Sequence, residues 1–78
     1  MKVEEMFKKI GYEYDYNEGE FEFGYVKKHT TEKYSLYIMF KRLTKEYYKV
    51  DGDKRRRAIS IEEHKAINAQ LQDLGWLK

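Results

Sequence analysis

Apolar residues recur along this chain with two different spacings, and the switches between them mark its elements. Val3, Met6, Phe7 and Ile10 fall at i, i+3, i+4 and i+7, the single stripe of an amphipathic helix, so a helix is predicted over residues 3 to 10. Gly11 stands where a left-handed residue would end it. Glu4 and Glu5 near its start and Lys8 and Lys9 near its end complement the helix dipole, each by tenths of a kcal/mol.

From Tyr12 the spacing becomes two. Tyr12, Tyr14 and Tyr16 alternate with Glu13 and Asp15, and beyond Asn17-Glu18-Gly19 the residues Phe21, Phe23 and Tyr25 alternate with Glu20, Glu22 and Gly24. This is the pattern of a β-hairpin. A three-residue loop would set tyrosines against glutamates, whereas a loop over residues 17 to 20 sets Tyr16 opposite Phe21 and Tyr14 opposite Phe23. The hairpin then has one aromatic and one acidic face. After a polar stretch from Lys28 to Lys33, residues Tyr34 to Leu43 send Leu36, Ile38 and Phe40 one way and Tyr37 and Met39 the other. A strand apolar on both faces belongs in the middle of a sheet. A further strand, Glu46 to Val50, runs into the turn composition Asp51-Gly52-Asp53, and residues 54 to 59 could extend as a short fifth strand.

The last element is a helix whose start is marked by Ser60 and Glu63, the spacing of a capping box, and whose stripe is Ile67, Leu71 and Leu74. Gly75 ends it, and Trp76 stands where a Schellman motif would fold it back toward Leu71 as a structural anchor. The expected fold class is α+β: an antiparallel meander of three to five strands with an N-terminal and a C-terminal helix packed on it, in the order α-β-β-β-β-α. One sheet face should be fully covered and the other only in part.

Length confines the chain to a single domain, residues 1–78, because a domain of this size buries only about 60–65% of the surface its unfolded chain exposes. Aromatic residues make up 17% of the chain beside 38% charged residues, so the core must be built largely from rings, with several tyrosines at its edge where their hydroxyls find partners. Cysteine is absent, which excludes disulfides and thiolate chemistry and suits a reducing compartment. The apolar run Leu36 to Phe40 is too short to cross a bilayer, and Glu4 and Glu5 stand where a signal peptide is basic, so a cytoplasmic location without membrane association is expected.

Two stretches carry a family resemblance: Phe7-Lys8-Lys9-Ile10-Gly11-Tyr12 at the start, and Ile59-Ser60-Ile61-Glu62-Glu63, Ala66-Ile67, Gln70 and Leu74-Gly75-Trp76 at the end. Together they cover about a third of the chain. In these positions the sequence resembles small proteins of unassigned function encoded by staphylococci, related Gram-positive bacteria or their phages. The resemblance lies in helix caps and core positions, so it implies a shared fold and supplies no catalytic residues. A phage association would favour a regulator or host-directed binding protein.

Charge changes the picture most. Residues 1–26 hold 3 basic and 7 acidic side chains, residues 27–57 hold 11 and 4, and residues 58–78 hold 2 and 3. The basic focus is Lys54-Arg55-Arg56-Arg57, with Lys41, Arg42, Lys45 and Lys49 before it and Tyr47 and Tyr48 interleaved. That composition suits a surface tracking phosphates, with Lys49, Lys54, Arg55, Arg56 and Arg57 as contacts for nucleic acid or an acidic partner. The same residues would also protect an edge strand from aggregation. The acidic set Glu13, Asp15, Glu18, Glu20 and Glu22 could bind a basic surface, dock internally on the basic strands, or simply face solvent. Tyr37, Met39 and Tyr47 are the expected protein-interaction face. His29 reads as a loop residue and His64 as a partly buried structural one, and neither has further ligands at metal spacing. No catalytic constellation, cofactor motif or metal set emerges. The expectation is a non-enzymatic protein-binding or regulatory module, monomeric or weakly homodimeric, with nucleic-acid binding as the alternative.

Overall fold

The computed structural model describes residues 2–15, 21–28 and 35–77. Helix α1 spans Val3–Lys9. Its end is closed by backbone bonds from Gly11 to Lys8 (3.0 Å) and from Tyr12 to Phe7 (2.9 Å). Gly11 has φ 91, a left-handed conformation open to glycine, and a Cβ there would come within 2.9 Å of the Lys27 side chain.

Four strands follow: β1 (Glu13–Asp15), β2 (Glu22–Lys27), β3 (Leu36–Lys41) and β4 (Glu46–Asp51). They form one antiparallel sheet in the order β1-β2-β3-β4, and helix α2 (Ile61–Asp73) completes the α-β-β-β-β-α order expected from the sequence. The hairpin register differs from expectation. Tyr14 lies opposite Tyr25, with Asp15 opposite Gly24, rather than Tyr14 opposite Phe23. A shift by two keeps every ring on the same face, so alternation alone does not choose between the registers. Tyr14 meets Tyr25 edge-on at 5.5 Å, and Phe23 becomes its diagonal neighbour at 6.2 Å. The loop expected over 17 to 20 lies outside the described residues.

The strand expected over residues 34 to 43 is shorter at its far end. Lys45 takes a positive φ of 57 in the turn to β4, and Leu43 is exposed. The fifth strand reduces to one bridge, Val50 to Arg56, flanked by backbone bonds from Asp51 to Arg55 and from Arg57 to Lys49, each 3.0 Å. This segment still covers the outer edge of β4.

Both helices pack on one face of the sheet. Phe7, Tyr12, Ala66 and Ile67 meet Phe23, Tyr25, Ile38 and Phe40 in a single core. Phe7 stacks on Tyr25 at 3.8 Å and Phe23 on Phe40 at 5.0 Å, so ring contacts supply much of the packing. The Tyr25 hydroxyl donates to Gln70 Oε1 at 2.6 Å, which satisfies a phenol inside the core.

Helix α2 begins and ends as its sequence implies. The Glu63 N–H donates to Ser60 Oγ at 3.1 Å and the Ser60 N–H to Glu63 Oε1 at 2.8 Å, closing the capping box. At the other end Trp76 N–H bonds Leu71 O and Gly75 N–H bonds Gln72 O, the two bonds of a Schellman motif, with Gly75 at φ 75. The Trp76 ring reaches Phe40, 6.5 Å away. His64 is exposed, contrary to expectation, because the buried stripe of α2 runs through Glu63, Ala66, Ile67 and Gln70.

Candidate binding face

The sheet face away from the helices is set by strand register. Glu13, Val26, Tyr37 and Val50 form one row across it, Asp15, Gly24, Met39 and Tyr48 the next, and Glu22, Lys41 and Glu46 a third. Tyr37, Met39, Tyr48 and Val50 line a shallow depression of about 540 Å³ whose walls carry Lys41, Lys54 and Arg56. Gly24 makes this floor possible. A Cβ at that position would collide with the Met39 sulfur and lie 2.6 Å from Ile38 O, so only a bare backbone lets Met39 lie across β2.

Tyr48 is the hub of the face. The Lys41 ammonium lies 5.5 Å and the Arg56 guanidinium 5.4 Å from its ring centroid, both within cation–π range, and its hydroxyl donates to Glu22 at 3.0 Å. The expected interaction face named Tyr47 in this place. Tyr47 instead lies opposite Phe40 on the side of the helices, with centroids 6.2 Å apart, and is 36% exposed, while on the other side Tyr37 is half-buried and Met39 only 8% exposed. Adjacent residues of a strand point to opposite faces, so the doublet Tyr47-Tyr48 could place only one ring here.

The basic segment divides in the same way. Arg57 Nε donates to Asp51 Oδ2 at 2.9 Å, while Asp51 Oδ1 accepts from the N–H groups of Asp53 (2.9 Å) and Arg55 (3.1 Å). Burial would raise the Asp51 pKa, but these bonds and the Arg57 charge outweigh it and hold the carboxyl below its ordinary value. Arg55 lines a neighbouring depression with Asp51, Asp53, Arg56 and Arg57, so Arg56 borders both. Lys54, at φ 63, closes a turn by its bond to Asp51 O (2.9 Å) and belongs with Arg56 to the open face. Among the described residues, Lys41, Lys54 and Arg56 form no ion pair.

Lys49 is not a surface contact. It is 9% exposed and donates to Glu63 Oε1 (2.8 Å) and Ala58 O (2.9 Å). The Tyr12 hydroxyl donates to the other Glu63 oxygen at 2.5 Å. Desolvation would raise the Glu63 pKa, but the Lys49, Ser60 and Tyr12 bonds together with the Lys49 charge bring it below the ordinary value. Burial first, then the bond and charge of Glu63, push the Tyr12 phenol far upward, so it stays protonated. This group fastens β4 and the connection between α1 and β1 to the start of α2. Glu63 carries a sequence signal only as a cap, and Lys49 disappears among neighbouring basic residues.

The acidic residues Glu13, Asp15 and Glu22 share the open face with the basic ones, on its β1 and β2 half, while Glu18 and Glu20 lie outside the described residues. No protein-family model, curated protein or solved structure matches the chain. Among the described residues no group of three or more His, Cys, Asp or Glu could hold a metal ion, and His29 lies outside them. No described helix is long and apolar enough to cross a membrane.

Proposed function

We propose that this protein is a non-enzymatic binding module of the cytoplasm that engages a protein through its open sheet face. The observation that supports this reading is the face itself: Tyr37, Met39 and Tyr48 at its centre, charges of both signs around them, and both helices on the other side. Aromatic residues, Met and Arg are the types that concentrate binding energy at interfaces, and a charged rim sets orientation and partner choice. A regulatory role agrees with the resemblance carried by the chain's two ends.

Photocrosslinking tests the reading. A benzophenone side chain at position 37 should form protein adducts in extract of the encoding cells, and one at exposed position 64 on α2 should form none. Equal labelling at both positions, or none at either, would count against it.

A second reading is favoured by one observation, the convergence of Lys41 and Arg56 on the Tyr48 ring with Lys54 in the same depression, which suits a single-stranded nucleic acid. It requires salt-sensitive oligonucleotide binding that the triple change of Lys41, Lys54 and Arg56 to Ala abolishes. Changing Arg55 and Arg57 instead should weaken that binding much less.

A further inference from the structure

We infer that the partner of the open face is a second copy of this chain, bound face to face about a two-fold axis running along the strands between β2 and β3. The inference rests on the reading of that face as the binding surface, and the register of the sheet carries it. Acidic residues occupy one half of the face, Glu13 and Asp15 on β1 and Glu22 on β2. Cations outnumber acids on the other, with Lys41 on β3 and Arg56 beside β4 against the single carboxylate of Glu46.

A two-fold axis in that direction exchanges the halves while preserving each residue's height along the strands. It lays β2 over the partner's β3 and β1 over the partner's β4. Glu22 then faces the partner's Lys41, because the two share a row. Glu13 approaches the partner's Arg56, which pairs with Val50 in the same row as Glu13 and leans over Tyr48. At the centre Tyr37 meets the partner's Val26, and Met39 meets the partner's glycine row. Each contact occurs twice, as an isologous interface requires. An axis across the strands would instead set each strand on its own copy, with Glu22 over the partner's Val26 and Lys41 over the partner's Tyr37, so that neither of these charges would face its complement.

Aligned packing of two twisted sheets is an ordinary architecture. Four overlapping strand positions about 4.8 Å apart and three side-chain rows about 6.8 Å apart outline roughly 400 Å² of projected face per copy. That places the contact below the size of stable interfaces, so a weak, reversible dimer with a dissociation constant no tighter than about micromolar is expected. The outer edge of β4 is already covered by residues 55–57 through their bonds to Lys49 and Asp51, which directs association to the face rather than to that edge.

Analytical ultracentrifugation decides the matter. Between about 5 and 500 µM at low salt, the mass should rise from that of one 9.6 kDa chain toward twice that value, and about 0.5 M salt should weaken association at least tenfold. Glu13→Arg and Arg56→Glu lie at opposite margins of the sheet and should each remain folded by circular dichroism while losing most self-association. Mixed in equal amounts, the two variants should recover a 1:1 dimer, since the introduced arginine of one chain then faces the introduced glutamate of the other, and the native Arg56 of the first faces the native Glu13 of the second. A wild-type chain that stays monomeric throughout overturns the dimer and leaves the open-face reading to its crosslinking test. A dimer indifferent to both variants, or one that mixing does not restore, also overturns it. So does a monomer whose face binds oligonucleotides.

Discussion

At the scale of single residues, Glu63 concentrates more of the structure than any local pattern discloses. The Ser60 and Glu63 spacing is legible as a helix cap, but the same carboxylate also receives Lys49 from 14 residues away and Tyr12 from 51. Removing one partner of a buried pair strands the other, so Glu63→Ala should lower the unfolding free energy by about 3–5 kcal/mol in denaturant titrations. Adding Lys49→Met should cost less than the sum of the two single changes, because the stranded charge is gone. The carboxyl's folded pKa lies below its ordinary 4.5, so its stabilising contribution is present above the unfolded value and lost as pH falls through the folded one. Melting temperature should therefore fall on acidification below about pH 4.5, and fall less in Glu63→Gln. Asp51 titrates in the same direction. Gly24 is a second such residue, a plain alternation member in the sequence whose lack of a side chain seats Met39. Gly24→Ala should cost about 1–3 kcal/mol through overpacking and shift the Met39 methyl resonance.

At the scale of elements, the helices were the most readable parts because their signals are local. Cap, stripe and terminal glycine of α2 lie within sixteen residues of chain; the cap and the glycine end have their hydrogen bonds in the structure and the stripe packs on the core. Ser60→Ala should destabilise the protein by about 1 kcal/mol in thermal or chemical unfolding, the worth of one N-cap bond. The strands were readable in phase more than in register. Rings two apart tolerate an even slip, which is why Tyr14 meets Tyr25 where Phe23 was expected. On β4 the phase itself was ambiguous. A Tyr-Tyr doublet between charged neighbours has no clear alternation, and what fixes it is the buried Lys49, whose partner belongs to another element.

At the scale of the whole molecule, element order followed from short connections, whereas the partial cover expected on the second face is replaced by both helices gathering on the first. The distribution of charge over the chain did not foretell that acidic and basic segments would meet on one surface, because that depends on which strands are neighbours. Trp76 packs on Phe40 of the core, so its fluorescence and the far-ultraviolet circular dichroism should give coincident unfolding transitions. Transitions separated by more than experimental error would show that the end of the chain unfolds independently. The two-sided sheet also has a consequence for how the sequence can change. Along β3, Ile38 and Phe40 serve the core while Tyr37 and Lys41 serve the open face, so fitness should alternate with a period of two. In a library scored for soluble expression alone, the Tyr37 and Lys41 positions should accept many residues. Scored for association, the same positions should become intolerant. A lineage that lost its partner would keep its fold and randomise one side of its sheet, and a lineage that acquired a new partner could do so by rewriting that side alone.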